Sequence, residues 1–159
     1  MIPFLISSAM PPQYARAYAD HSTALQASLL AHYNTNVPPI TSARSEKSIA
    51  VSDAGTDIKV QIRVFKVEEI AAANGRMTLK VWLRSKWRDE RLAWNESAWG
   101  GISMITLSTL QPQQIWIPDA TLYNSLASIS DTLESTQANV YSDGSIFWSR
   151  PGTISVMCK

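Results

Sequence analysis

One cysteine, two histidines and six glycines in 159 residues narrow what this chain can be. A lone Cys158 excludes an internal disulfide, a cysteine-rich zinc site and a C-x-x-C redox pair within the chain. No apolar run reaches the roughly 18 residues that read as a membrane-spanning helix. Charge of one sign is also missing: 14 Lys+Arg against 13 Asp+Glu leave +1, which gives no reason to expect nucleic acid or a membrane surface as partner. Charged residues make up 17%, below the usual share of about 25%, which hints at faces covered by something other than water. Catalytic equipment is scarce. His21 and His32 stand in one helical segment with no acidic cluster beside them, and read as satisfied or exposed helix histidines rather than metal ligands. Asp89 and Glu90 adjoin, but strand neighbours point to opposite faces, so they do not share a proton. Without a nucleophile elbow, phosphate loop or zinc-helix motif, neither an enzyme nor a cofactor is expected.

What the chain does have is a core's worth of apolar residues, 45%, at a length that suits one domain. Met1–Met10 is mostly apolar and Ala17-Tyr18-Ala19 has the small-x-small form of a signal-peptidase site. No Lys or Arg precedes that run, however, and Pro11-Pro12 interrupts it. Residues 1–13 are therefore set apart as a disordered stretch or remnant leader, and 14–159 as the domain. Tyr14, Tyr18, Leu25, Leu29 and Tyr33 recur at helical spacing, and the run from Asn34 to Pro38-Pro39 stops the helix. Thr41–Thr56 is polar, serine-rich loop.

From there the period changes to two. Ile58, Val60, Ile62 and Val64 alternate with Lys59, Gln61, Arg63 and Phe65, the pattern of a half-buried strand. Asn74-Gly75 supplies a hairpin turn. The return strand puts Met77, Leu79, Val81, Leu83 and Trp87 on one face and Thr78, Lys80, Trp82, Arg84 and Lys86 on the other. Asp143-Gly144 marks a second hairpin between Asn139–Ser142 and Ser145–Ser149. Short strands with turn punctuation behind one leading helix predict a mainly β fold, an antiparallel immunoglobulin-like sandwich.

All six tryptophans fall at or after position 82. Trp82 is the informative one, because Lys80, Arg84 and Lys86 share its face. Two readings stand: an indole covered by its own subunit, or an aromatic surface completed by a ligand or a neighbouring subunit. Trp87, on the apolar face, reads as core. Trp94, Trp99 and Trp116 read as bulky plugs in loop-rich sequence. Tyr123 follows the turn pair Pro118-Asp119 and reads equally as an exposed ring or as loop packing.

Four stretches in order, VWLRSKWRDERLAWN (Val81–Asn95), WGG (Trp99–Gly101), IWIPDATLYN (Ile115–Asn124) and DGSIFWSRPGTISVMC (Asp143–Cys158), together resemble the extracellular ligand-binding domain of the pentameric Cys-loop receptors, specifically the nicotinic acetylcholine receptor branch. The likeness covers residues 58–158. It implies an agonist held between two subunits, in a box of aromatic rings whose negative faces attract a quaternary ammonium. Trp82 matches the complementary-face aromatic position. Phe147 and Ser149 match complementary strand positions, with Asn139 on the partner strand beside them. Tyr123 matches the first principal-face tyrosine. Trp87, Asp89, Trp94, Trp116, Pro118 and Asp119 match framework positions.

By the same resemblance, Cys158 corresponds to the first cysteine of the disulfide loop, with its partner downstream of Lys159. The chain is thus expected to be a fragment, its sandwich incomplete at the C-terminus, with membrane contact only through segments it does not contain. Its partners would be a small acetylcholine-like agonist and neighbouring subunits of a pentamer at the extracellular face of the plasma membrane. The first hairpin turn, Ala71-Ala72-Ala73-Asn74-Gly75, lacks the acidic residues that touch the pore domain in many relatives. Arg84 beside Trp82 leaves the agonist's charge open, since receptors for anionic transmitters carry an arginine there. Asn95-Glu96-Ser97 is a candidate glycosylation acceptor. Two competing functions are a soluble binder of acetylcholine-like ligands without a channel, and a β-sandwich adhesion or carbohydrate-binding module.

Overall fold

The computed structural model describes residues 11–43 and 54–157. Most of residues 1–13, set apart as leader or disorder, and Cys158 lie outside the described residues. Helix α1 (Pro12–Leu30) opens with proline at its first position, where a missing N–H costs nothing. Only its C-terminal part is covered: Leu25 is buried and Leu29, Leu30 and Tyr33 pack on the main core, while Tyr14 and Tyr18 are exposed. The expected apolar stripe is therefore half used. The helix also ends earlier than Asn34, and Tyr33 lies beyond it in a turn whose N–H donates to the Leu30 carbonyl at 3.2 Å.

A two-residue ribbon, β1 (Ser42–Ala43) with β2 (Ala54–Gly55), precedes the main sheet. That sheet is antiparallel and five-stranded: β3 (Lys59–Ala71), β4 (Arg76–Arg88), β7 (Ser145–Met157), β6 (Ala138–Tyr141) and β5 (Met104–Leu107), in that spatial order. The leading helix and antiparallel β architecture agree with the sequence reading, and this sheet is one layer of such a sandwich. β3 and β4 join through a 3-10 turn, Ala72–Asn74, closed by Gly75, so the turn starts earlier than Asn74-Gly75 alone suggested.

Cross-strand register fixes the two faces of the sheet. Ile62 pairs with Leu83 and Arg63 with Trp82; across the next ladder Leu83 faces Arg150 and Trp82 faces Pro151. Directly opposite residues share a face, so Val81, Leu83, Ser85 and Trp87 look inward with Ile146, Trp148, Arg150 and Ile154. Trp82, Arg84 and Lys86 look outward with Phe147, Ser149 and Asn139.

The inner face carries two cores. Leu25, Trp87, Leu92, Ile105, Leu107, Ile115, Val140 and Ile146 belong to the larger, sealed by half-buried Trp94, Trp99 and Trp116. Val81, Leu83 and Ile154 form the smaller with Ile129 of the short helix α2 (Ile129–Thr132) and with Leu133. That contact needs a glycine: a Cβ at Gly152 would sit 2.4 Å from the Thr132 carbonyl oxygen.

β3 departs from expectation. It alternates as predicted, yet it is exposed along nearly its whole length, with Val60, Ile62 and Val64 each about half accessible. Ile62 borders a small space shared with Ile129 and Leu133, and irregularities between Val64 and Lys66 and between Val67 and Glu69 shift the register of the strand. Among the described residues no helix is long and apolar enough to cross a membrane.

Candidate functional site

The pleat of β4 delivers Trp82 to the outer face, where its ring stays 40% exposed. Phe65 meets it edge-on, centroids 6.1 Å apart at 85°. Phe65 shares its face of β3 with Arg63, the residue directly opposite Trp82, and stands at the register irregularity between Val64 and Lys66. The Arg84 guanidinium carbon stands 5.2 Å from the indole centroid, within cation–π range. Two rows of outer-face residues follow. Arg84 faces Ser149 across the β4–β7 ladder, and Lys86 faces Phe147, its Nζ 5.3 Å from that ring's centroid. Phe147 in turn faces Asn139 on β6. Trp82, Arg84, Asn139, Phe147 and Ser149 thus lie on one surface, half-buried to exposed. A cavity of about 630 Å³ opens beside Phe147, lined also by Lys59, Lys86, Arg88 and Tyr141.

Tyr123 is not part of that surface. Leu122 packs on the inner-face cluster of Val81 and Leu83, and the Asn124 carbonyl accepts from the Met157 N–H at 2.9 Å. Tyr123 therefore sits beside the Val156–Met157 end of β7, away from the Pro151 position opposite Trp82, and its ring is fully exposed. Of the two readings of this residue, the exposed ring is the one observed.

The framework positions form a second constellation. Trp87 is buried and meets Trp116 edge-on, centroids 6.2 Å apart. Trp94 donates its indole N–H to the Ile102 carbonyl at 2.7 Å. Pro118 is buried and Asp119 is exposed. Asp89 is wholly buried and saturated: Arg91 grips both its oxygens, Nε to Oδ1 at 2.8 Å and Nη2 to Oδ2 at 2.7 Å, while the Tyr33 hydroxyl donates to Oδ2 at 2.6 Å. That hydroxyl also accepts the Trp116 backbone N–H at 3.1 Å. Burial raises the Asp89 pKa, but the hydrogen bonds from Arg91 and Tyr33 outweigh it and hold the carboxyl below its ordinary value. Tyr33 moves up, first because burial disfavours its charged form and then because it donates to Asp89.

This buried knot explains why Asp89 and Glu90 do not act as a pair: Asp89 points into the protein and Glu90 is exposed. Sequence reasoning missed Tyr33 and Arg91 as its partners, and Phe65 as the neighbour of Trp82. Tyr33 lies 56 residues from Asp89, a contact no spacing shows. Arg91 stands two residues after Asp89, and Phe65 shares its alternating face with Arg63 opposite Trp82, so both of these were signals within reach of the sequence. Asn95 is exposed, and its side-chain oxygen accepts from the Ser97 N–H at 3.1 Å to cap a 3-10 turn.

The outer face thus brings aromatic rings and cations together on one sheet. The family described as neurotransmitter-gated ion-channel ligand binding domain matches residues 22–159. The acetylcholine receptor subunit alpha-type unc-38 of Caenorhabditis elegans is 28% identical over 131 residues, covering 82% of this chain and 23% of that protein. The neuronal acetylcholine receptor subunit beta-4 of Homo sapiens is 30% identical over 127 residues, covering 80% and 23%. The acetylcholine receptor subunit alpha-like of Manduca sexta is 26% identical over 156 residues, covering 98% and 26%. The chain spans about a quarter of the length of these relatives.

Proposed function

This chain belongs to the neurotransmitter-gated ion-channel ligand-binding domain family, and from that premise we propose that its outer face is the complementary half of a transmitter site closed by an adjoining subunit. The observation that carries the reading is the exposure of Trp82. A large indole, 40% accessible and flanked by Phe65 and Arg84, sits on a face it shares with Lys80, Lys86, Ser149 and Phe147. A protein gains nothing for its own core by such a placement, whereas an aromatic anchor at a desolvating contact gains much.

In this reading Trp82 offers its ring to the transmitter, Phe147 and Asn139 form the floor, and Ser149 and Arg84 set polarity. Tyr123, beside the end of β7 and off that surface, serves the principal face toward the other neighbour. Each subunit in a ring then contributes two different half-sites. The whole protein would convert agonist binding at its subunit boundaries into pore opening, outside the cell, with the transmitter acetylcholine-like. Catalysis has no place in this activity, since the family is one of ligand-gated ion channels.

The test is Trp82→Ala in the receptor assembled from the full-length subunit. Loss of one ring contact, about 0.5–2 kcal/mol, lowers agonist affinity several-fold while surface expression holds. Unchanged affinity at normal expression removes Trp82 from the site. Tyr123→Ala provides the second arm, and should weaken binding at the boundary opposite to the one Trp82 serves.

A further inference from the structure

Cations on the outer face of the sheet find partners at one end and none at the other. Toward the β3–β4 turn the chain supplies its own carboxylates: Glu68 reaches Lys66 at 3.9 Å and Lys80 at 3.5 Å, and Glu69 holds Arg76 at 2.9 Å. Toward the opposite end, Lys59, Arg63, Arg84 and Lys86 make no ion pair among the described residues. Lys59 and Lys86 stand directly opposite each other in the β3–β4 ladder. Like charges in that relation destabilise a sheet. The Phe147 ring, 5.3 Å from the Lys86 Nζ, attracts the ammonium without cancelling its charge.

The groove of about 630 Å³ beside Phe147 opens over this pair. Lys59, Lys86 and Arg88 line it against one carboxylate, Asp57. Arg88 is paired with Glu90 at 3.7 Å, so the excess positive charge rests on the two lysines. A surface that repels itself is stabilised by negative charge brought from outside. Position decides what brings it. Lys86 stands four residues beyond Trp82 on the same strand and face, about 13 Å away at roughly 3.3 Å per residue. The groove is thus continuous with the surface that an adjoining subunit closes over Trp82. Tyr141 and Phe147 add aromatic wall for the body of a peptide segment.

We propose that this groove receives an acidic segment of the adjoining subunit, whose carboxylate enters between Lys59 and Lys86 and supplies the counter-charge this chain lacks there. The proposal rests on the reading that a subunit covers the outer face, and adds the surface chemistry that subunit must carry. The contact also selects neighbours, because a subunit presenting a cation at that place is repelled by both lysines.

The test is zero-length cross-linking with a water-soluble carbodiimide in the receptor assembled from the full-length subunit. The reagent joins an amine to a carboxylate in contact with it, forming an amide and taking up the released water to become a urea. A denaturing gel is expected to show a band of two-subunit mass, and peptide mass spectrometry to place Lys59 or Lys86 in the bridge. Lys66 and Lys80, beside Glu68 of their own chain, give the internal positive control. Lys59→Arg with Lys86→Arg keeps the charge but removes the amines, and should lose the bridge while keeping assembly. Lys59→Glu with Lys86→Glu should cut surface receptor several-fold. The proposal is overturned if these lysines are bridged only within the one-subunit band, or if they form no bridge where the Glu68 links do. Full assembly of the glutamate variant overturns it as well. Agonist affinity of the Trp82→Ala receptor separates this proposal from the reading beneath it. Lowered affinity without a bridge leaves the transmitter site standing and removes the acidic contact; a bridge with unaltered affinity does the reverse.

Discussion

Trp87 and Trp82 stand on the same strand, five residues apart, and their surroundings share almost nothing. Trp87 faces Ile146 across the ladder and is 4% exposed, inside a cluster with Leu25, Leu92 and Ile105. Trp82 lies between Arg63 and Pro151 and keeps 40% of its surface in water. Strand parity sends the two rings to opposite sides, but parity alone does not tell core from binding surface. The company on each face does. Where cross-strand partners are apolar, an indole is structural; where they are cations, prolines and another exposed ring, it is left for something outside the chain.

The largest expected effect tests the buried half of this contrast. Trp87→Ala removes a ring from a sealed cluster and should cost about 3–5 kcal/mol, read as a fall in the denaturation midpoint of the 159-residue chain. A loss below about 1 kcal/mol would mean that the end of β4 is not the core its burial indicates. Next comes the polar knot beneath it. Asp89→Asn keeps the shape but removes the charge that Arg91 and Tyr33 satisfy, and should cost about 1–3 kcal/mol at neutral pH. The folded-state pKa of Asp89 is depressed, so its contribution is present above the unfolded value near 3.9 and disappears as pH falls through the lower folded value. The variant's stability should therefore vary less with pH below about 4 than the parent's. Parallel acid profiles would show that other carboxylates dominate acid unfolding.

Much of this contrast was legible from residue order. Period-two alternation assigned Trp87 and Trp82 to opposite faces, and the cations at 80, 84 and 86 singled out Trp82 as misplaced. Asp143-Gly144 marked its hairpin because that turn is local chemistry. What residue order did not show is tertiary. Tyr33 and Trp116 reach the local Asp89–Arg91 pair from chain segments distant in sequence, and no spacing rule links them to it. β3 alternates as a half-buried strand does, yet stays exposed, because alternation reports which side is apolar and not whether anything covers it. Arg150 sits in a run that reads as ordinary strand; only register reveals that its side chain points inward.

On the open face the effects should be smaller for folding and selective for binding. Trp82→Ala loses its edge contact with Phe65 and part of its burial, about 1 kcal/mol of stability or less, well short of the Trp87 variant. Its larger consequence should be the several-fold loss of agonist affinity in the assembled receptor. If the two alanine variants destabilise equally, the distinction between the faces is wrong, and Trp82 is structural despite its exposure.

The finest test separates the indole from the cation beside it. Arg84 holds its guanidinium carbon 5.2 Å from the Trp82 centroid, so the ring already has a positive charge in attendance. An arriving quaternary ammonium would compete with it for the same negative ring and would be repelled by it as well. Arg84→Gln frees the ring while keeping a side chain of similar reach, and should tighten binding of a quaternary ammonium agonist by roughly 0.5–1 kcal/mol with stability unchanged. The opposite sign would be equally instructive. If the substitution weakens activation, and does so most for agonists that carry a carboxylate, then the guanidinium grips the transmitter and Trp82 supplies apolar cover rather than a cation–π face.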